Sequence, residues 1–328
     1  MKKLKIENLL QHTEENLLQK TEEELLQQTE EELDQLFEQA YNDKITELDI
    51  SGNNLSEISD NLASCIAVLT SLQKLNVSRN QLTTLPAFLC ELLLLEELVV
   101  EDNPLIFPPK EIIQKGTEAI VEYLKEPLSE KELIRIITEA KKNRIKVLDL
   151  NKRGIEQLPK EIGEIESLEV LKLRQNQLSS LPQKIYCLEN LKVLELGANR
   201  FSQFPVEVVK LSKLEVLDLE ANFLQSIPVE IGLLSNLRQL NVAANQLAFL
   251  PTELGQLNQF KVLEVGFNQL GSLPLSLAQL PKLRQLGISQ NSWSRRPEVV
   301  RELEAVEVVD VGGGRGSNGL IQRKFHFC

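Results

Sequence analysis

The chain has 328 residues, of which 42% are apolar and 26% charged, so it can build a sizeable core, and its length predicts two domains or one elongated array. Aromatic residues are only 5%, so that core must be aliphatic. A formal net charge of −12 argues against nucleic acid or an anionic membrane as partner and favours a basic protein surface.

From the N-terminus, residues 1–32 carry LLQHTEEN, LLQKTEEE and LLQQTEEE, an acidic eight-residue repeat. Eight residues advance a helix by about 80° beyond two turns, so the leucine pairs spiral and form no single stripe. The segment reads as a solvated, partly helical extension, with self-association as the sharper alternative. No unbroken apolar stretch precedes its acids, as a secretion signal would require. Nothing in the chain approaches the roughly 18 apolar residues of a membrane span.

Residues 33–107 form a first block in which Asn53, Asn80 and Asn103 end related leucine strings. The interval from Asn53 to Asn80 is four residues longer than that from Asn80 to Asn103, which predicts an insertion around Asp60–Cys65. Residues 108–143 then break the pattern. Ile112, Ile113, Ala119, Ile120 and Leu124 recur at helical spacing, with Gly116 as an interruption. SEKELIRIITEAKKNR follows as a second helix, with Ser129 and Glu132 as a capping box. The segment is expected to be a helical connector and cap.

The two block starts match internally. Leu33, Leu36, Phe37, Ala40, Ile45, Leu48, Asp49 and Ile50 recur as Leu133, Ile136, Ile137, Ala140, Ile145, Leu148, Asp149 and Leu150, always 100 residues on. Each block is therefore expected to open with an amphipathic helix that covers the edge of its first strand. Two modules and one continuous superhelix both remain open.

Residues 144–314 carry the clearest signal. LEVLKLRQN, LKVLELGAN, LEVLDLEAN, LRQLNVAAN, FKVLEVGFN and LRQLGISQN end on Asn176, Asn199, Asn222, Asn245, Asn268 and Asn291, always 23 residues apart. The L-x-L core alternates with period two, which is a short strand with one buried face. Such a strand cannot bury that face alone, but stacked copies build a parallel sheet over a continuous core. The asparagine amide suits the sharp turn after the strand, where it can bond backbone groups taken out of the ladder. In the following L-x-x-L-P-x-x-I, proline ends the extended segment and the next apolar residues line a short helical turn. The expected fold is α/β: a solenoid with a curved parallel sheet on the concave face, short helical turns on the convex face, and helical caps. The array decays at a strand over 307–311, where a 23-residue register puts Gly314 in place of the asparagine; residues 315–328 read as a flexible tail.

The 23-residue unit with its LPxxI signature resembles the intracellular leucine-rich repeats of Ras-pathway scaffold proteins, plant Ras-group-related repeat proteins and Roco proteins, over about residues 33–314. Extracellular relatives bracket their arrays with disulfide-rich caps. Here Cys65, Cys90, Cys187 and Cys328 form no CxxC pair and do not cluster, so reduced cysteines and a cytoplasmic location are expected. The resemblance implies a non-catalytic scaffold in signal transduction, with a small GTPase or its complex as partner. The alternatives are a secreted bacterial effector of the same repeat type and a self-assembling structural protein.

Catalysis finds little support. The two histidines, His12 and His326, lie in the tails, which excludes a Ser-His-Asp or Cys-His arrangement inside the repeats and leaves no zinc-ligand set. GRGSNG at 314–319 matches G-x-G-x-x-G, but nine residues after it cannot make a dinucleotide-binding unit. No enzyme activity, cofactor or metal is expected.

The functional candidate is the concave face, where side chains flanking the buried leucines project. One column reads Val147, Val170, Val193, Val216, Gln239, Val262, Gln285. The next reads Asp149, Lys172, Glu195, Asp218, Asn241, Glu264, Gly287. Arg174, Gly197, Glu220, Ala243 and Gly266 lie beside them. A valine stripe beside an acidic column is expected to dock a partner with apolar anchors rimmed by Lys or Arg.

Overall fold

The computed structural model describes residues 3–6, 35–293, 297–301, 303 and 306–309. Of the extension expected over 1–32 only residues 3–6 are described, and the tail expected at 315–328 lies outside the described residues. The chain divides into two compact units between Glu126 and Pro127. That boundary falls inside the expected connector 108–143, so its helices belong to different units. No helix among the described residues is long and apolar enough to cross a membrane.

The first unit is a parallel sheet in the order β1 (Lys3–Lys5), β2 (Glu47–Asp49), β3 (Lys74–Asn76), β4 (Glu97–Val99). Residues 35–42 are helical, with Phe37 and Ala40 buried. This helix does not cover the β2 edge as expected. The start of the extension does so, as a strand with Leu4 opposite Leu48. A backbone edge is best satisfied by another backbone: Ile6 N–H donates to the Asp49 carbonyl at 2.9 Å. The inserted segment becomes the helix Asp60–Ala67, whose Ser59 hydroxyl accepts the Leu62 N–H. At the far edge, the helices Lys110–Ile113 and Thr117–Lys125 are broken at Gly116, which has φ +91°. Thr117 Oγ1 then accepts the Leu98 N–H of β4 at 2.9 Å.

The second unit is an eight-stranded parallel sheet, β5 to β12 in chain order. Its strands are β5 (Val147–Asp149), β6 (Val170–Lys172), β7 (Val193–Glu195), β8 (Val216–Asp218), β9 (Gln239–Asn241), β10 (Val262–Glu264), β11 (Gln285–Gly287) and β12 (Glu307–Val309). From β5 to β11 the partners are 23 residues apart, but Gln285 faces Glu307, a step of 22. The last unit is therefore one residue short, and Gly313 rather than Gly314 takes the asparagine position in sequence. The helix Glu130–Lys142 precedes β5, capped by Ser129, and buries Leu133, Ile136, Ile137 and Ala140.

Two devices set the stacking. The first is an asparagine ladder. Asn176 Nδ2 donates to the carbonyls of Leu150 and Leu173, and its Oδ1 accepts from the N–H groups of Arg153 and Ile155, all within 3.0 Å. Each such amide ties one repeat to the next and satisfies backbone that the turn would leave bare. The first position of this ladder is not asparagine but Arg153, which is 1% exposed. The second device is glycine on the opposite layer, where each proline opens a 3-10 turn such as Lys160–Glu164 or Thr252–Gln256. A Cβ at Gly163 would stand 2.2 Å from the Lys184 carbonyl oxygen and one at Gly255 2.5 Å from Ser276 Cβ, so glycine lets these two turns approach the next repeat closely, while Tyr186, Val209 and Ala278 hold the same position in other turns.

Candidate functional site

The concave face of the second unit is assembled by strand register alone. Val170, Val193, Val216 and Val262 lie in one row, and Lys172, Glu195, Asp218, Asn241 and Glu264 in the next, because the strands pair in parallel without slip. Adjacent strands are about 4.8 Å apart, so side chains in a row are close neighbours. Val170, Val193 and Val262 are half-buried and Val216 is 8% exposed. The stripe is apolar as expected and partly open to a ligand.

The second row is not an open acidic column. Asp218 is 0% exposed, Asn241 2%, Glu264 3%, Lys172 4% and Glu195 7%. The expectation that these carboxylates face solvent is corrected by what lies over and between them. Arg174 reaches across two repeats and pairs with Asp218 and, at 3.0 Å, with Glu220. Asn241 Nδ2 donates to the same Glu220 carboxylate at 3.3 Å. Lys172 sits 3.9 Å from Glu195, and Gln285 donates to Glu264 at 2.9 Å. Burial by itself lowers the Arg174 guanidinium, but Asp218 and Glu220 raise it above its ordinary value on balance. The row is a largely buried, hydrogen-bonded network in which two cations, Lys172 and Arg174, stand among the carboxylates of Glu195, Asp218, Glu220 and Glu264.

Glycine makes this network possible. A Cβ at Gly197 would lie 2.7 Å from Asp218 Oδ2 and 3.1 Å from Arg174 Cζ, so the guanidinium passes through the space a side chain would fill. A Cβ at Gly287 would lie 1.6 Å from Glu264 Oε2. Sequence reasoning placed both glycines on this face but gave them no role. The signal was there in outline: each breaks a column otherwise occupied by side chains, next to a long charged residue. Glu220, with 37% of its side chain exposed, is the carboxylate of this cluster that solvent and a partner reach.

A second charged row precedes the strands. Glu169 is held between Lys146 at 2.8 Å and Lys192 at 2.7 Å, and these two hydrogen-bonding cations bring its carboxyl down to about 2. The alternation of sign along neighbouring strands is the reason: like charges at this spacing would repel. Among the described residues no group of three or more His, Cys, Asp or Glu is placed to hold a metal ion. A cavity of about 170 Å³ in the first unit is lined by residues including Tyr41, Lys44, Thr70 and Ser71, and brings no carboxylate or histidine together.

Comparison with known proteins agrees with this architecture. A family model described as "Leucine-rich repeat region" matches residues 137–246 and 186–298. A second, "Leucine Rich Repeat", matches 44–65 and 71–92. Among solved structures, a leucine-rich-repeat protein of Leptospira interrogans is 26% identical, covering 83% of this chain and 98% of its own, with a TM-score of 0.39. A TDR receptor is 28% identical over 82% of this chain and 48% of its own, with a TM-score of 0.51. The plant peptide hormone receptor RGFR1, solved in complex with RGF2, is 20% identical over 76% of this chain and 41% of its own, with a TM-score of 0.44. The chain thus spans about half the length of the first receptor and less of the second. With the 23-residue parallel ladder, the asparagine turns and matching family models in both units, the chain is a leucine-rich-repeat protein, of a class that mediates protein–protein interaction and is typically non-catalytic.

Proposed function

We propose that this protein is a non-catalytic interaction module that binds a protein partner across the concave sheet of residues 144–314. The observation that carries the reading is the valine row. Val170, Val193 and Val262 stay partly exposed on a sheet whose adjacent charged row is buried and internally hydrogen-bonded. Such a surface is rigid and needs no ordering on binding, which favours a ligand that supplies apolar anchors. Glu220 gives that ligand a carboxylate to meet, so a partner with Lys or Arg beside its anchors fits best. Resemblance to Ras-pathway and Roco-type repeats supports an intracellular signalling role, with a small GTPase or its complex as partner and the cytoplasm as location.

The test uses the column's own chemistry. Gln239 and Gln285 occupy the valine row in β9 and β11, so the fold accepts glutamine there. The double variant Val193→Gln, Val262→Gln should keep its thermal midpoint and lose the proteins that the wild-type chain captures from a cell extract, as identified by mass spectrometry. Capture of the same set in the same amounts by the variant would remove the concave sheet from consideration.

A further inference from the structure

The connection that follows the strands of the second unit carries three exposed phenylalanines in consecutive repeats. Phe223, Phe249 and Phe267 are 50%, 59% and 58% exposed. The other described phenylalanines of this unit, Phe201, Phe204 and Phe260, occupy leucine positions and are at most 6% exposed. The repeat supplies its own control for the exposed three. Where Phe223 directly follows a ladder asparagine, the other repeats place glutamine, arginine or serine. At the position of Phe249 they place serine, glutamine or arginine, and at that of Phe267 alanine or glutamine. The fold therefore asks for polar or small residues at all three positions.

Two of the three are held rigidly. Phe223 N–H donates to the Phe201 carbonyl at 2.9 Å and Phe267 N–H to the Ser289 carbonyl at 2.7 Å, so both backbones belong to the ladder between repeats. Phe267 also sits at φ +56°, where a bulky residue is uncommon. The same left-handed turn recurs at Gln175, Ala198, Ala221, Ala244 and Gln290, so the conformation belongs to the repeat, whereas the solvent-exposed aromatic area does not and points to a ligand. With strands about 4.8 Å apart, Phe223 and Phe267 are separated by about 10 Å along the rim. Ala244, in the repeat between them, holds the position of Phe267 with a small side chain.

Charge identifies the occupant. Of the carboxylates in residues 214–268, Asp218 and Glu264 are buried in the concave row and Glu220 meets Arg174, so those that the turns present are Glu230 and Glu253, beside two cations, Arg238 and Lys261. Arg238 is taken up by Glu215 at 3.3 Å. Glu220 stands three residues before Phe223, and Glu253 four residues after Phe249. We propose that this rim is a docking surface for a basic amphipathic segment of a partner protein. Its aliphatic side chains would pack on Phe223, Phe249 and Phe267 while its Lys or Arg groups reach the neighbouring carboxylates. The rim shares Glu220 with the concave sheet but none of its valines, so loss of binding at the phenylalanines and loss at the valine row are distinguishable.

The experiment uses the full chain and two fluorescent 14-residue helical peptides, one built of Leu and Lys, the other of Leu and Glu, followed by anisotropy. The variant Phe223→Gln, Phe249→Ser, Phe267→Ala gives each position a residue its own column already carries and changes no charge. The Leu/Lys peptide should bind wild type and lose at least tenfold in affinity for the variant, whose urea midpoint is unchanged or higher. Phe249→Ser alone, whose backbone is not among those ladder bonds, should lose at least threefold and guards against a folding artefact in the triple variant. Equal affinity of wild type and variant would mean that net charge alone attracts the peptide, and the proposal fails. It fails equally if the Leu/Glu peptide binds as well, or if wild type binds neither peptide at low salt. Light scattering that shows a dimer of wild type abolished in the variant would assign the rim to a second copy of the chain and overturn the partner named here.

Discussion

Removing the Asp218 carboxylate charge should destabilise the second unit strongly, although Asp218 lies on the face expected to bind. Its side chain is 1% exposed; it pairs with Arg174 and also accepts the Glu220 N–H at 3.0 Å. Breaking a buried pair from one side costs about 3–5 kcal/mol when the remaining charge is stranded. In Asp218→Asn the stranded group is Arg174, which is 23% exposed and keeps Glu220, so the cost should fall to about 2–3 kcal/mol. With a urea slope of about 2 kcal/mol per molar, the midpoint should drop by about 1–1.5 M. Arg174→Met keeps the apolar stem and strands Asp218 instead; a double-mutant cycle should return a coupling of about 1–3 kcal/mol. Gly197→Val should reproduce the loss from the other side, because its side chain closes the path of the guanidinium. Circular dichroism of the variants in a urea series reads all of this. An Asp218→Asn midpoint within about 0.2 M of wild type would show that the carboxylate is solvated and the network without energetic weight.

Three further outcomes follow from the same contacts. Gly163→Ala should cost about 1–3 kcal/mol by overpacking against the Lys184 backbone, whereas Gly271→Ala, with nothing within 4 Å, should be close to neutral in thermal unfolding. Glu169 has its carboxyl pulled from 4.5 to about 2 on folding, so it contributes stability that is present above about 4.5 and lost as pH falls towards 2. Glu169→Gln should narrow the difference between urea midpoints at pH 7 and pH 3, by no more than about 1 kcal/mol for a pair at the surface, and an unchanged difference would count against the ladder. Deleting residues 1–6 removes β1 and the buried Ile6, so amide exchange at Leu48 and Ile50 should quicken at least tenfold; unaltered protection there would mean that β1 does not cover the edge of β2.

The repeat, its strands and their register were legible without coordinates, because a solenoid makes each unit repeat the same local solution. Leucines at the first, fourth and sixth positions and an asparagine at the ninth can bury only one face and close only one turn. Leu171, Leu194 and Leu217, all at 0% exposure, sit where period two puts them. The break at Gly116 was legible for the same reason, since glycine marks a local conformational need. What the tertiary structure alone decided depends on neighbours one or two repeats away. A strand pattern assigns Asp218 and Glu264 to the concave face, but only the stacked repeats show that Arg174 arrives over Gly197 and buries the carboxylate. Lys3–Lys5 carries no repeat signal, since a three-residue edge strand is defined by the strand it joins. The 22-residue step to β12 is likewise invisible to periodicity, for the hydrogen bonds of β11 choose the register there. Patterns within a repeat follow from chain-local geometry, whereas burial of charge follows from which side chains the stacked repeats bring together.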